Sequence, residues 1–196
     1  MKHLFSVLII LSLAITSCVQ DFPIDKNLKN VTTNLIDQNG NEKYFNKVIA
    51  GKTTVIAFIY TNCPDICPMT THNMQLVDEK FLKENITNIN FVVVSFDPER
   101  DTPEVLNKFA AIRDIDLKRW GFYTGDKTSI EELMDEFEVK AFPSDTSYSS
   151  EGKLRYSMIH TDRISLIDSE GRLRKYYSGS KLNLDELYND IKKLED

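Results

Sequence analysis

Apolar residues along this chain fall into two kinds of pattern, continuous and periodic. Thr53 to Tyr60 (TTVIAFIY) and Asn90 to Phe96 (NFVVVSF) are nearly unbroken β-branched and aromatic runs. Such runs predict strands buried on both faces of a parallel sheet. Between them, from Pro68 to about Lys83, apolar residues recur at Met69, Leu76, Val77 and Leu82 with polar residues in between, which predicts an amphipathic helix. Thr102-Pro103 reads as an N-cap followed by proline at the first helical position, opening a helix through Ala111. A short strand near Phe122 and a helix from about Ser129 to Phe137 follow. The polar stretch Phe142 to Lys153 reads as a surface loop. Strands at Arg163–Ile167 and Leu173–Tyr177 flank the turn Asp168-Ser169-Glu170-Gly171, and Leu184–Leu194 is a closing helix. Ahead of all this, Val31–Ile36 runs into the turn Asp37-Gln38-Asn39-Gly40, with a second short strand near Glu42–Phe45.

This order predicts an α/β fold: a thioredoxin-like sandwich with a central mixed sheet flanked by helices and an N-terminal β-hairpin. In open sheets of this kind, sites form in the crevice beyond the carboxyl ends of the parallel strands. The segment in that position is Thr61-Asn62-Cys63-Pro64-Asp65-Ile66-Cys67-Pro68.

The chain begins differently. Lys2 and His3 precede an apolar stretch from Leu4 to Ile15 that is too short to span a bilayer as a permanent helix. It ends in Leu13-Ala14-Ile15-Thr16-Ser17-Cys18, which resembles the lipobox of bacterial lipoproteins, where the cysteine is diacylated and becomes the new N-terminus. An ordinary signal peptide is the alternative, and both readings export the protein. The expected organisation is a lipoprotein signal peptide at 1–17, a tether at 18–28 and one thioredoxin-like domain at 29–196. The protein would then be a membrane-anchored lipoprotein facing the bacterial periplasm or outer surface. A net charge of −6, with no long run of either sign, gives no reason to expect nucleic acid as a partner.

With Cys18 assigned to lipid, Cys63 and Cys67 are the remaining thiols of three. In an exported chain a pair usually signals a disulfide, but a bridge closing so short a loop gains little chain entropy. Two side chains four residues apart in a helical turn lie roughly 5 to 6 Å apart, close enough either to form a disulfide or to share one ion. The start of a helix favours thiolate over thiol, and paired thiolates suit Cu(I) or, with an imidazole added, Cu(II) or Zn(II).

Three histidines could supply that imidazole. His3 leaves with the signal peptide. His72 follows Cys67 by five residues, which at about 100° per residue turns it away from both sulfurs. His160 precedes the strand near Arg163, where thioredoxin-like oxidoreductases place a cis-proline facing the dithiol. Pro143 is too far along the chain to fill that place, and an imidazole there shifts the expected chemistry towards metal. Asp97, at the end of a buried strand, reads as a loop-capping residue rather than a proton or metal relay. Met158 reads as packing rather than as a thioether ligand.

The set Thr61–Pro68, then Ser95-Phe96-Asp97-Pro98-Glu99-Arg100-Asp101-Thr102-Pro103, then a single histidine ahead of a strand ending in Asp168-Ser169-Glu170-Gly171, resembles the Sco/SenC family of thioredoxin-fold copper proteins. The resemblance runs from about Leu28 to Leu194. It implies a metallochaperone holding one copper per chain, as Cu(I) or Cu(II), on Cys63, Cys67 and His160. It further implies as partners a copper-receiving subunit of cytochrome c oxidase or another copper protein, a thiol reductant, and the membrane through the lipid anchor. The alternative is a thiol-disulfide oxidoreductase in which Cys63 and Cys67 are a redox-active dithiol that reduces the cysteines of a copper-receiving partner. A peroxide-reducing role is a third reading. One departure from the family is Ile159, where an acidic residue often precedes the histidine.

Overall fold

The structure, a computed structural model, describes residues 22–148 and 154–195. The signal segment and Cys18 lie outside the described residues. In chain order the first elements are β1 (Lys26–Asn27), β2 (Asn34–Asp37), β3 (Glu42–Tyr44), α1 (Phe45–Val48), β4 (Thr53–Ile59), α2 (Ile66–Lys83) and β5 (Ile89–Ser95). Then come α3 (Pro103–Ile112), β6 (Trp120–Thr124), α4 (Lys127–Glu136), β7 (Ala141–Tyr148), β8 (Leu154–His160), β9 (Ile164–Ile167), β10 (Arg172–Tyr177) and α5 (Leu184–Glu195).

β4 is buried at every position, as its unbroken apolar run requires. It pairs in parallel with β5 and antiparallel with β9, and β5 pairs in parallel with β6. The resulting eight-stranded mixed sheet has the order β1-β10-β9-β4-β5-β6-β2-β3. Helices α2 and α5 pack on each other and on β4, while α3 packs on β6. Thr102 caps α3 by accepting a hydrogen bond from the Val105 amide, with Pro103 at the first helical position, as the sequence predicts.

Two hairpins turn by the same local chemistry. Asp37 Oδ1 accepts from the amides of Asn39 and Asn41, and Asp168 Oδ1 accepts from those of Glu170 and Arg172. In each, the glycine three residues after the aspartate has positive φ, +81° at Gly40 and +74° at Gly171. Glycine adopts that conformation without the steric cost a Cβ brings.

Four expectations need correction. The tether does not extend to residue 28: β1 pairs with β10, and Phe22 and Leu28 are buried in the core. The stretch from Phe142 is not a loop over its described part. It lies within β7, which pairs antiparallel with β8 in a separate two-stranded ribbon. Pro143, distant along the chain from the predicted site, is thereby placed opposite Met158.

The third correction concerns α2, which starts at Ile66, so that Cys67 lies in its first turn and Cys63 in the loop before it. The fourth is its buried face, which includes Thr70, Thr71, Met74, Val77 and Phe81, whereas Met69 and Leu82 are exposed. Thr70 and Thr71 can be buried because their hydroxyls donate to the carbonyls of Ile66 and Cys67 at 3.0 and 2.9 Å. Asp78 is buried on the same helix because Trp120 Nε1 donates to it at 2.8 Å and Arg119 pairs with it at 2.7 Å.

Candidate metal centre

The cysteine loop leaves the sheet at the end of β4 beside the loop that leaves β5. The two strands are in register there, and the Phe96 amide donates to the Ile59 carbonyl at 2.9 Å. Asp101 ties the loops together. Its fully buried carboxylate accepts from the Thr61 amide at 2.9 Å, the Thr61 hydroxyl at 2.5 Å and the Ser95 hydroxyl at 2.5 Å. Burial pushes this carboxyl up, against those three hydrogen bonds. Two residues beyond Thr61, the Cys63 amide closes a turn onto the Tyr60 carbonyl at 3.3 Å.

The first amides of a helix have no carbonyl partner within the helix, and Asp65, the residue at the cap of α2, offers no side-chain acceptor to them. A sulfur takes that place: the Cys67 amide donates to Cys63 Sγ at 3.4 Å. Hydrogen bonding from the Cys67 thiol, with help from the amides of Cys67 and Asp65, lowers the Cys63 thiol below its ordinary value in spite of burial. Cys67 moves the other way, because its thiol is bonded to the Cys63 sulfur and is more deeply buried. The two shifts oppose each other, Cys63 towards thiolate and Cys67 towards thiol. Cys63 is 9% exposed and Cys67 1%, and both are unbridged.

His160 ends β8. Its Nε2 stands 3.7 Å from Cys67 Sγ, and its Nδ1 lies 3.1 Å from the Thr161 carbonyl oxygen. A carbonyl can only accept, so this second contact places the ring proton on Nδ1 and leaves the Nε2 lone pair towards the sulfurs. The ring packs against Phe96 at 5.1 Å and Tyr60 at 6.0 Å between centroids.

The two sulfurs and one imidazole nitrogen all lie within 4.8 Å of one another. Donors bonded to one ion at about 2.0–2.3 Å sit roughly 3.5–4 Å apart, so a small contraction would bring all three onto one metal. Two thiolates and an imidazole form a donor set for Cu(I), Cu(II) or Zn(II).

The other sequence candidates lie elsewhere. His72 is exposed on α2, outside this cluster. Met158 shares a strand face with His160 but is half-buried against the core, and its amide donates to the Tyr60 hydroxyl at 3.4 Å. Asp97 departs from the expected capping role, since the amides of Arg100 and Asp101 are held by its backbone carbonyl and its carboxylate turns to other side chains. Besides pairing with Arg100, its carboxylate accepts from the Tyr156 hydroxyl at 2.6 Å. Asp101, Arg100 and Tyr156 were not singled out from the sequence. Only Asp101 carried a usable signal, a carboxylate just ahead of the capping threonine of α3.

Comparison with known proteins agrees with this geometry. The SCO1 protein homolog of Bacillus subtilis is 32% identical over 145 residues, covering 74% of this chain and 72% of its own length. A SCO1/SenC family lipoprotein from Bacillus anthracis superimposes with a TM-score of 0.73 at 27% identity, covering 90% of this chain and 99% of that one. Copper-bound ScoI of Bradyrhizobium japonicum superimposes with a TM-score of 0.67 at 29% identity, covering 83% of this chain and 96% of that one. With the SCO1/SenC family pattern matching residues 25–196, this chain belongs to the SCO1/SenC family.

Proposed function

We propose that this protein is an exported copper carrier that holds one copper ion per chain on Cys63, Cys67 and His160 and passes it to a copper-receiving partner. The observation that carries the reading is the convergence of two sulfurs and the Nε2 lone pair within 4.8 Å, in a chain similar to a copper-bound ScoI. Copper is the cargo here. Two thiolates satisfy Cu(I), and the imidazole extends the site to Cu(II). Both sulfurs bind as thiolates, so loading displaces any thiol proton the pair still holds and copper uptake is coupled to proton release. Release follows by exchange onto the donor atoms of the partner, and the family resemblance supports a copper-receiving subunit of cytochrome c oxidase or another copper protein in that role. The resemblance of residues 13–18 to a lipobox and the similarity to a Bacillus anthracis lipoprotein support cleavage after residue 17 and anchoring through Cys18.

A second reading is favoured by one observation, two unbridged cysteines with the Cys67 amide on Cys63 Sγ, an arrangement in which hydrogen bonding lowers the Cys63 thiol. Cys63 thiolate would attack a partner disulfide, forming a mixed disulfide and releasing one partner thiolate. Cys67, on losing its proton, would then attack Cys63 Sγ, releasing the second partner thiolate and leaving a Cys63–Cys67 disulfide. A thiol reductant would return the two electrons.

Anaerobic titration of the reduced protein separates the readings. About one copper per chain is expected, with thiolate-to-Cu(II) absorption and a paramagnetic signal for the Cu(II) form. Failure to bind copper, together with turnover of a partner disulfide, would leave the second reading standing alone.

A further inference from the structure

His160 reaches the sulfurs on a strand that does not belong to the main sheet. The ladder of β8 is to β7, so no strand pairing with the eight-stranded sheet sets how the ribbon leans over the cysteine loop, and the Met158 amide meets the end of β4 only through the Tyr60 hydroxyl at 3.4 Å. Side chains alternate along a strand, and Tyr156, Met158 and His160 therefore share the face of β8 turned to the site. At the far end of that row the Tyr156 hydroxyl donates to Asp97 Oδ1 at 2.6 Å. Arg100, paired with the same carboxylate, donates from Nη1 to the Tyr156 carbonyl at 3.2 Å and lays its guanidinium 3.5 Å from the centre of the Tyr156 ring. Asp97 is held in turn. Its amide donates to Ser95 Oγ at 3.0 Å, and its carbonyl accepts from the Arg100 and Asp101 amides at 3.1 and 2.9 Å.

The other end of the strand is pinned just past His160. Asp162 accepts from the hydroxyls of Ser178 and Ser180 and from the Ser180 amide, and lies 3.2 Å from the Thr70 hydroxyl, which shares its proton with the Ile66 carbonyl. His160 thus lies between a fixed point at Asp162 and a side-chain fastening four residues back, about 13 Å along extended chain. We propose that Asp97, Arg100 and Tyr156 form a positioning clasp that fixes the lean of β8, and thereby decides whether His160 joins Cys63 and Cys67 as a third donor. With the clasp closed the site offers two sulfurs and a nitrogen. With it open the ribbon turns about Asp162 and the site offers two sulfurs. The clasp accordingly sets the preference between Cu(II), which needs the imidazole, and Cu(I), which does not. This inference rests on the copper reading above.

Tyr156→Phe removes only the hydroxyl, and Arg100→Lys keeps a positive charge while losing the stacked guanidinium. In both, Cu(II) affinity is expected to fall by about 10-fold or more, and the Cu(II) absorption and paramagnetic spectra to move towards those of His160→Ala. Cu(I) affinity, measured by competition with a chromophoric chelator, should stay within about 2-fold of wild type. In the metal-free protein, amide hydrogen exchange over residues 156–160 should accelerate while that of β4 is unchanged. Wild-type Cu(II) spectra and affinity in Tyr156→Phe would overturn the proposal. Loss of Cu(I) binding with faster exchange in β4 would also overturn it, by showing a global structural role. If the wild type binds no copper, the copper reading fails on its own, and the exchange measurement still decides whether the clasp holds β8.

Discussion

Cys67 Sγ and His160 Nε2 stand 3.7 Å apart although 93 residues separate them. One partner sits in the first turn of a helix packed on the main sheet, and the other ends a strand of the separate ribbon. Removing the imidazole should therefore leave the sulfurs where they are. His160→Ala is expected to bind Cu(I) within a few-fold of wild type and to lose about 10- to 100-fold in Cu(II) affinity, read by competition titration and paramagnetic resonance. Full Cu(II) affinity in this variant, with loss of thiol-disulfide activity, would refute the carrier reading.

Asp101 offers a test of how the cysteine loop is held. Its carboxylate accepts three hydrogen bonds, two of them from Thr61. Asp101→Ala leaves the Thr61 amide and two hydroxyls without their acceptor, at a cost of about 1–3 kcal/mol for each buried group left unsatisfied. A lower melting temperature is expected together with weaker copper binding in both oxidation states, unlike the Cu(II)-selective loss in His160→Ala. A stable Asp101→Ala protein with wild-type copper affinity would show that the loop is held by other contacts.

Stability at low pH should depend on Asp190, on the inner face of α5. Burial opposes its ionisation, but hydrogen bonds from Lys175, Tyr177 and Lys193 outweigh burial and lower the carboxyl below its ordinary value. A lowered carboxyl contributes stability that is present above its unfolded value, near 4, and lost as pH falls through the folded one. Asp190→Asn should melt earlier than wild type at pH 7, by about 1–3 kcal/mol. That gap should narrow below about pH 4. A gap that does not change with pH would mean that the effect is packing rather than charge.

Ile159 precedes His160 and is 69% exposed. Neighbours on a strand point to opposite faces, so residue 159 faces away from the sulfurs and cannot tune the imidazole by direct contact. Ile159→Asp is expected to leave the melting temperature almost unchanged, within about 0.5 kcal/mol, and the Cu(II) spectrum the same. Its effect should fall on the rate of copper transfer to a partner, measured by stopped-flow mixing. A shifted Cu(II) spectrum would place this residue in the metal environment after all.

What the sequence made legible was local. The runs of β4 and β5, the Thr102-Pro103 start of α3 and the two aspartate-to-glycine turns are each specified within a few residues, and the structure has them as read. The ribbon was illegible because the described part of β7 is largely exposed, so it shows no alternation of apolar and polar residues. The buried face of α2 was misread because Thr70, Thr71 and Asp78 are polar. Their burial depends on the Ile66 and Cys67 carbonyls and on Trp120 and Arg119. The same reason hid the clasp, since Asp97 and Tyr156 are 59 residues apart. The nearness of His160 to the two cysteines is a long-range expectation, drawn from the predicted order of strands and helices, and the structure brings the three side chains within 4.8 Å of one another.

The amide of Cys67 gives the centre a reporter of its own. Its proton points at Cys63 Sγ, and the chemical shift of such a proton follows the electron density on the sulfur. A sulfur that is free as a thiolate, shared with a metal or bonded to a second sulfur offers that proton three different acceptors. One backbone resonance, read without labelling either cysteine, is therefore expected to distinguish the reduced, Cu(I)-loaded and oxidised forms in a single sample.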